Sequence, residues 1–168
     1  MQKKRINKDL LFVLTAVAVC FGFMAFVTLV FPALKMSYDG IIKTYEMEVS
    51  GIHAVFGGKI TEGNEYIELT IMEYKFNFLS LLGYLLPLIA SIFGVLIFNS
   101  KKDLPHYIVG GLCFLGAILI FLEPVFFRSV NEISDSIKVT LLAGPILGGL
   151  LALITTGFII GCGYMKRK

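Results

Sequence analysis

The sequence contains no tryptophan and only three cysteines, and charged residues make up just 16% of its 168 positions. An average soluble domain is about 25% charged and about 45–50% apolar, whereas this chain is 57% hydrophobic. So short a chain cannot hide that much apolar surface in one water-facing core. The composition therefore excludes a disordered chain, an ordinary soluble enzyme and a nucleic-acid-binding protein, and it indicates a membrane protein.

Patterns typical of catalytic or cofactor sites are also missing. The chain has no H-E-x-x-H, C-x-x-C, G-x-S-x-G, Walker or Rossmann pattern. Its two histidines, His53 and His106, are predicted on opposite sides of the membrane and so cannot share a metal ion. The cysteines lie in or beside apolar runs, so no disulfide braces an outer segment. We predict that the protein is not an enzyme and has no cofactor, metal ion or known small-molecule ligand.

Four apolar runs are long enough to cross a bilayer core, which takes about 20 helical residues. Because the backbone must satisfy its own hydrogen bonds in lipid, each run is predicted to be a helix. The first run follows a basic start but is too long for a cleaved signal, so we expect an uncleaved anchor. The fold class is an all-α transmembrane four-helix bundle, one domain over residues 1–168, with helices at about 10–31, 78–98, 107–127 and 139–160.

Charge on the connecting segments predicts the orientation. The side with both termini and the 99–106 link has nine basic residues against two acidic ones, and the other side has six against nine. The positive-inside rule places both termini in the cytoplasm of a multi-pass protein of the cell membrane. The basic ends either only set the orientation of the chain, which we favour, or also dock to anionic lipid.

Residues 32–77 are too charged to be inserted, and their hydrophobic period changes to two. Residues 41–50 and 66–76 alternate between apolar and polar side chains, with glycines between them. This pattern predicts three or four antiparallel strands, a small β-sheet in the first extracellular loop that rests on the helix ends or on the 128–138 loop. The stretch 50–58 is a recognition tip or, as we favour, a strand with a bulge. An edge of the sheet could pair with another chain.

Glu123 is the one acid within the predicted spans. Acids at membrane depth are functional candidates because burying their charge is costly. Its position near the outer end of the third run predicts access to water, and Pro124 predicts a kink. Arg128 and Lys138 are close enough in sequence to neutralise the carboxylate. Two readings stay open: a structural ion pair or snorkelling acid, which we favour, and a coupling or binding carboxylate.

Small residues recur every four positions in the fourth run, which lets helix backbones approach closely. They form either a seam between chains or, as we favour, the packing surface of one bundle. The residues are Gly144, Gly148 and Ala152, with Gly157 and Gly161 on an adjoining line.

Four features of the sequence carry a resemblance: a basic start, Ser-Gly and Phe-Gly within 50–57, Phe-Asn-Phe-Leu at 76–79, and a Gly-rich last run ending at 164–168. In these features the chain resembles small, mostly uncharacterised four-helix membrane proteins of the Firmicutes type. The resemblance implies a bacterial tetraspan without a transferable activity. In outline the chain is also similar to claudins. Their loop signature uses tryptophan and a cysteine pair, which this loop lacks, so junction formation is not implied.

Function is therefore expected to lie in contacts. The first hypothesis is a non-enzymatic integral membrane protein, an accessory or interaction protein that acts through lateral helix packing or its extracellular sheet. Its partners would be the lipid bilayer, a second copy in a homo-oligomer or another membrane protein. The alternative is a small transporter or channel component, working as a dimer with Glu123 as its coupling group.

Overall fold

The computed structural model describes residues 8–39, 44–64, 67–100 and 102–167, which form six α-helices and five β-strands. Four helices are long and apolar enough to cross a membrane. They are α1 (Lys8–Val27, continued by a 3-10 turn over Thr28–Val30), α3 (Phe78–Leu96), α4 (Leu104–Phe121) and α6 (Ala143–Arg167). The short helices are α2 (Gly51–Phe56) and α5 (Glu123–Asn131). The strands are β1 (Pro32–Asp39), β2 (Thr44–Ser50), β3 (Gly58–Asn64), β4 (Ile67–Tyr74) and β5 (Ile137–Leu141).

The four long helices form a ring in which α1 and α4 each pack against both α3 and α6. Small residues dominate the buried centre, including Ala18, Ala90, Ala117 and Ala152. Small side chains let helices approach closely, as in helix association within lipid. Large apolar side chains point outward instead, among them Leu96 at 68% exposure. This arrangement, apolar outside and small inside, is typical of a bundle whose solvent is lipid.

A three-stranded antiparallel sheet covers one end of the bundle, called here the sheet end, where α1 stops and α3 starts. The strand order is β2-β1-β5, and β3 and β4 form a separate antiparallel hairpin. Val49 and Phe127 contribute to a second apolar core between the sheet and the short helices α2 and α5. The prediction of a mostly helical chain with a small antiparallel sheet is confirmed, but one strand comes from the segment between α5 and α6 rather than from residues 32–77.

Three predicted helix boundaries differ most from the structure: both ends of the fourth helix, which was predicted to end at about 160 but continues to Arg167, and the end of the third. The fourth helix was predicted from residue 139 but starts at Ala143, because residues 137–141 pair with β1 and Leu142 N donates to Ala33 O at 2.8 Å. The third was predicted to run to 127 but stops at Phe121. Pro124 has no N–H group, and the chain restarts as α5.

The stretch 50–58, predicted as a bulged strand or a recognition tip, is mostly helix. Ser50 caps α2 by accepting a hydrogen bond from His53 N at 3.3 Å. Gly57, at φ 77°, ends it in a conformation that favours glycine. Gly51 N donates to Phe31 O at 3.0 Å, so α2 lies across the sheet end of the bundle. Residues 41–43 and 65–66, parts of the two alternating segments, lie outside the described residues.

Candidate functional site

Glu123 is completely buried, at 0% exposure, as the first residue of α5. The expectation that its carboxyl reaches water is wrong. Leu122 interrupts the helical run at φ −86° and ψ 3°, and after this break Glu123 is buried with its carboxyl against Tyr84 of α3. A helix N-terminus favours a carboxylate in its first turn, which partly offsets the cost of burial.

Tyr84 on α3 is the hydrogen-bond partner of this carboxyl. Its hydroxyl donates to Glu123 Oε2 at 2.9 Å, and its side chain is also fully buried. Glycines bring the two helices together: a Cβ on Gly83 would lie 3.1 Å from Ile120 N, and one on Gly116 would lie 3.0 Å from Gly83 O. The close contact of α3 and α4 therefore sets the geometry of the Tyr84–Glu123 bond.

Two further polar side chains are buried along the same face of α3. Asn77 caps this helix by accepting a bond from Ser80 N at 3.2 Å, and both side chains have 0% exposure. Asn77, Ser80 and Tyr84 are three and four residues apart, so they lie on one face of α3. Together with Glu123 they make up what we call the polar cluster.

Three atoms of the polar cluster have no hydrogen-bond partner among the described residues. They are Asn77 Nδ2, Ser80 Oγ and Glu123 Oε1. Buried polar atoms are usually paired, because an unpaired one costs about 1–3 kcal/mol. The concentration of such atoms in one place marks the cluster as the candidate functional site.

Arg128, predicted as a partner of Glu123, pairs elsewhere. Its guanidinium donates to Asp135 Oδ1 at 2.9 Å and to Ser134 O at 3.2 Å. Five residues along a helix turn a side chain well away from the starting face, so Arg128 and Glu123 point apart. Glu123 has no ion pair among the residues that the structure describes. The predicted structural ion pair of Glu123 is therefore wrong.

The pKa of the Glu123 carboxyl is shifted in the opposite direction from that of Glu132, an exposed glutamate. Glu123 lies outside the four candidate spans, and burial raises the pKa of its carboxyl to about 7, with the Tyr84 hydrogen bond acting in the opposite direction. Glu132 is fully exposed, and its hydrogen bond with Lys75 at 2.7 Å lowers the pKa of its carboxyl. Glu132 therefore provides a natural control for Glu123.

The small residues of α6 divide into two groups. A Cβ on Gly144 would lie 2.9 Å from Pro32 O, one on Gly148 would lie 2.4 Å from Thr28 Oγ1, and Ala152 is fully buried. These three pack within the chain. A Cβ on Gly157 or Gly161 would have nothing within 4 Å, so these two leave open space beside α6.

The opposite end of the bundle, called the termini end, holds a cluster that sequence reasoning missed. Lys166 Nζ donates to the carbonyl oxygens of Phe98 and Ser100, the latter at 3.1 Å, and lies 3.2 Å from His106 Nε2. It also lies 5.5 Å from the Phe98 ring centroid. The lysine thereby supplies donors to two carbonyl groups of the link between α3 and α4.

Comparisons with protein-family models, with curated proteins and with solved structures give no match. Across residues 8–39, 44–64, 67–100 and 102–167, the structure has no group of three or more His, Cys, Asp or Glu side chains that could hold a metal ion.

Proposed function

We propose that the chain is a non-enzymatic integral membrane protein that acts by contact with a second membrane-protein chain, and that the three-stranded sheet makes the contact. Such an accessory role needs a rigid exposed surface rather than a cleft. The sheet supplies one, because β1 continues from α1 and β5 leads into α6, so both flanking helices hold it in place.

One observation carries this proposal: the buried face of the sheet continues into exposed aromatic side chains. Leu34 and Met36 on β1 are 0% and 5% exposed, but Tyr38, next on the same face, is 46% exposed. Its cross-strand partner Tyr45 is 63% exposed. Tyrosine is enriched at protein interfaces because it combines a large apolar ring with a polar tip.

The orientation of this surface is part of the proposal. The excess of basic residues at both termini and in the 99–106 link supports cytoplasmic termini, which puts the sheet on the outer side of a bacterial cell membrane. A protease added to intact cells should then cut within residues 32–77 and spare the lysine-rich ends. Cleavage of the ends alone would show that the termini, and not residues 32–77, lie on the outer side.

Site-specific photo-crosslinking tests the contact. A photoreactive residue replacing Tyr45 should give an adduct in native membranes, and the mass of the adduct distinguishes a second copy from a different protein. Glu48 provides the matched control, because it is exposed on the same strand but on the opposite face. No adduct at position 45, or equal yields at positions 45 and 48, would contradict the proposal.

A second candidate function is a small transporter or channel component that works as a dimer and uses Glu123. The complete burial of this carboxyl without an ion pair favours it, since transporters place ionisable groups beside broken helices. In liposomes, Glu123→Gln should abolish any proton-coupled flux while Glu132→Gln preserves it. Absence of flux in the unmodified protein counts against this candidate.

A further inference from the structure

We propose that the polar cluster is a hydrated proton-binding site, in which water joins Glu123 Oε1, Ser80 Oγ and Asn77 Nδ2 and the Glu123 carboxyl carries the exchangeable proton. The proposal requires neither a partner chain nor transport. It concerns only what the four buried side chains of the cluster bind.

Helix register brings the three unpartnered atoms to one region. Gly83 on α3 lies against Ile120 on α4, and these helices run antiparallel. The Tyr84–Glu123 hydrogen bond brings the carboxyl to the face of α3 that also carries Ser80, one turn toward the sheet from Tyr84. Asn77 lies one turn further toward the sheet, on the same face of α3. The cluster therefore extends from the Tyr84–Glu123 bond toward α2.

The donor and acceptor properties of the atoms in the polar cluster indicate which ligand fits it. Asn77 Nδ2 is a donor only, Ser80 Oγ can donate or accept, and a carboxyl oxygen accepts or, when protonated, donates. A cation would attract the oxygens but leave Asn77 Nδ2 without a partner. An anion would be repelled by the carboxylate. Water both donates and accepts, and buried water characteristically bridges about three such groups.

The surroundings favour a proton over a permanent charge on Glu123. On the elements packed against α5, the titratable and charged groups include Tyr84 on α3 and Arg128 on α5 itself, whose guanidinium binds Asp135. Tyr74 on β4 has its ring 5.3 Å from that of Phe127, but its hydroxyl donates to Met47 Sδ, and Lys75 binds Glu132. β5 contributes Lys138, which is exposed. On α4 the titratable side chains of His106, Tyr107 and Cys113 lie two or more turns from Glu123. Glu123 forms no ion pair within the described part of the chain, and burial raises the pKa of this carboxyl to about 7.

Proton exchange then balances simply. The carboxyl O–H bond breaks, its electron pair stays on the Glu123 oxygen, and the proton forms a new O–H bond with the adjacent water. That water releases one of its own protons to the solvent, so the site loses one proton and Glu123 keeps the negative charge. Tyr84 keeps donating to the other oxygen and stabilises the carboxylate formed. Asn77 N donates to Val55 O at 2.8 Å, so α2 covers the outer side of the cluster and separates it from bulk water.

Infrared difference spectroscopy of the full-length protein in detergent tests this directly. We expect a carbonyl stretch from one protonated carboxyl that titrates near pH 7, together with a change in the O–H stretch of a bound water. Glu123→Gln should remove both signals, and Glu132→Gln should leave both. Ser80→Ala, which deletes one partner of the water, should change the water signal and shift the midpoint.

A milder pair of variants keeps the test valid if Glu123→Gln does not fold. Tyr84→Phe removes the bond that lowers the pKa of Glu123, so the midpoint should rise. Tyr74→Phe is the matched control, because that buried hydroxyl donates to Met47 Sδ instead. A midpoint unchanged by Tyr84→Phe would overturn the proton site. An unchanged water signal in Ser80→Ala would contradict the proposal that water binds in the cluster. Displacement of the proton by sodium chloride but not by choline chloride would show that the cluster binds a monovalent cation instead.

Discussion

The two ends of the bundle bury polar groups in different ways. At the termini end, Lys166 serves two carbonyl oxygens and lies beside His106, and His106 Nδ1 is the single unpartnered buried side-chain atom there among the described residues. At the sheet end, three buried atoms of the polar cluster are unpartnered and Glu123 has one protein hydrogen bond.

This difference indicates that Lys166 has a structural role, whereas the polar cluster is a candidate binding site. Lys166 keeps its apolar stem against the bundle while its ammonium group donates to carbonyl groups of the link between α3 and α4, which stabilises that link. At the sheet end, the three unpartnered atoms of the polar cluster can each form a further hydrogen bond, and α2 covers them. Spare capacity costs stability, so a ligand that uses it recovers free energy.

Crowding the sheet end should produce the largest effect. Gly148→Leu would push into Thr28 and into the ring of Tyr84, whose Cε1 lies 3.5 Å from a Cβ built at position 148. We expect a loss of about 3 kcal/mol of stability or a failure to fold, measured by thermal unfolding in detergent. Gly157→Leu, on the same helix but facing open space, is the control and should be nearly neutral. Equal destabilisation by both would mean that α6 packs differently.

Varying the pH should sharpen the comparison. Between 4.5 and about 7 the folded protein keeps a proton on Glu123 that the unfolded chain has released. The stability due to this group is fully present below pH 4.5 and falls as the pH rises through about 7, by at most about 3 kcal/mol. Melting temperatures should lose this dependence in Glu123→Gln. If Glu123→Gln and Glu132→Gln show the same pH profile as the unmodified protein, another group is responsible.

Removing the ammonium group at the termini end should have the smallest effect. Lys166→Met keeps the apolar stem but leaves the carbonyl oxygens of Phe98 and Ser100 without this donor. We expect a loss of about 1–2 kcal/mol in the same unfolding experiment. Lys102→Met, at an exposed position in the same link, should change stability by less than about 0.5 kcal/mol. A larger loss than that of Gly148→Leu would reverse the ranking of the two ends.

Hydrophobic patterning was sufficient to predict the four long helices and two of the strands. It misplaced the boundaries around 121–143, because pairing with β1 draws residues 137–141 into the sheet and no local pattern reports a partner so distant in sequence. It also missed α2, where the Ser50 cap and Gly57 determine the conformation more strongly than alternation does.

Glu123 was predicted as a candidate, but its partner was not. Sequence proximity suggested Arg128, whereas the actual partner, Tyr84, lies on another helix and reaches the carboxyl because Gly83 allows close packing. A signal was available: Asn77, Ser80 and Tyr84 occur at helical spacing, at the start of and within an apolar run, which places polar groups on one buried face. Which face of a second helix they would meet depends on tertiary packing.

The pairing of Tyr38 with Ile137 has a consequence for the order in which the protein is made. β1 is synthesised with β2 close behind it, but its second neighbour emerges only after α3, α4 and α5 have followed. Until then one side of β1 has no strand beside it and the apolar core beneath it is incomplete. The sheet of the newly made chain therefore cannot close until β5 has been made, after three of the four long helices.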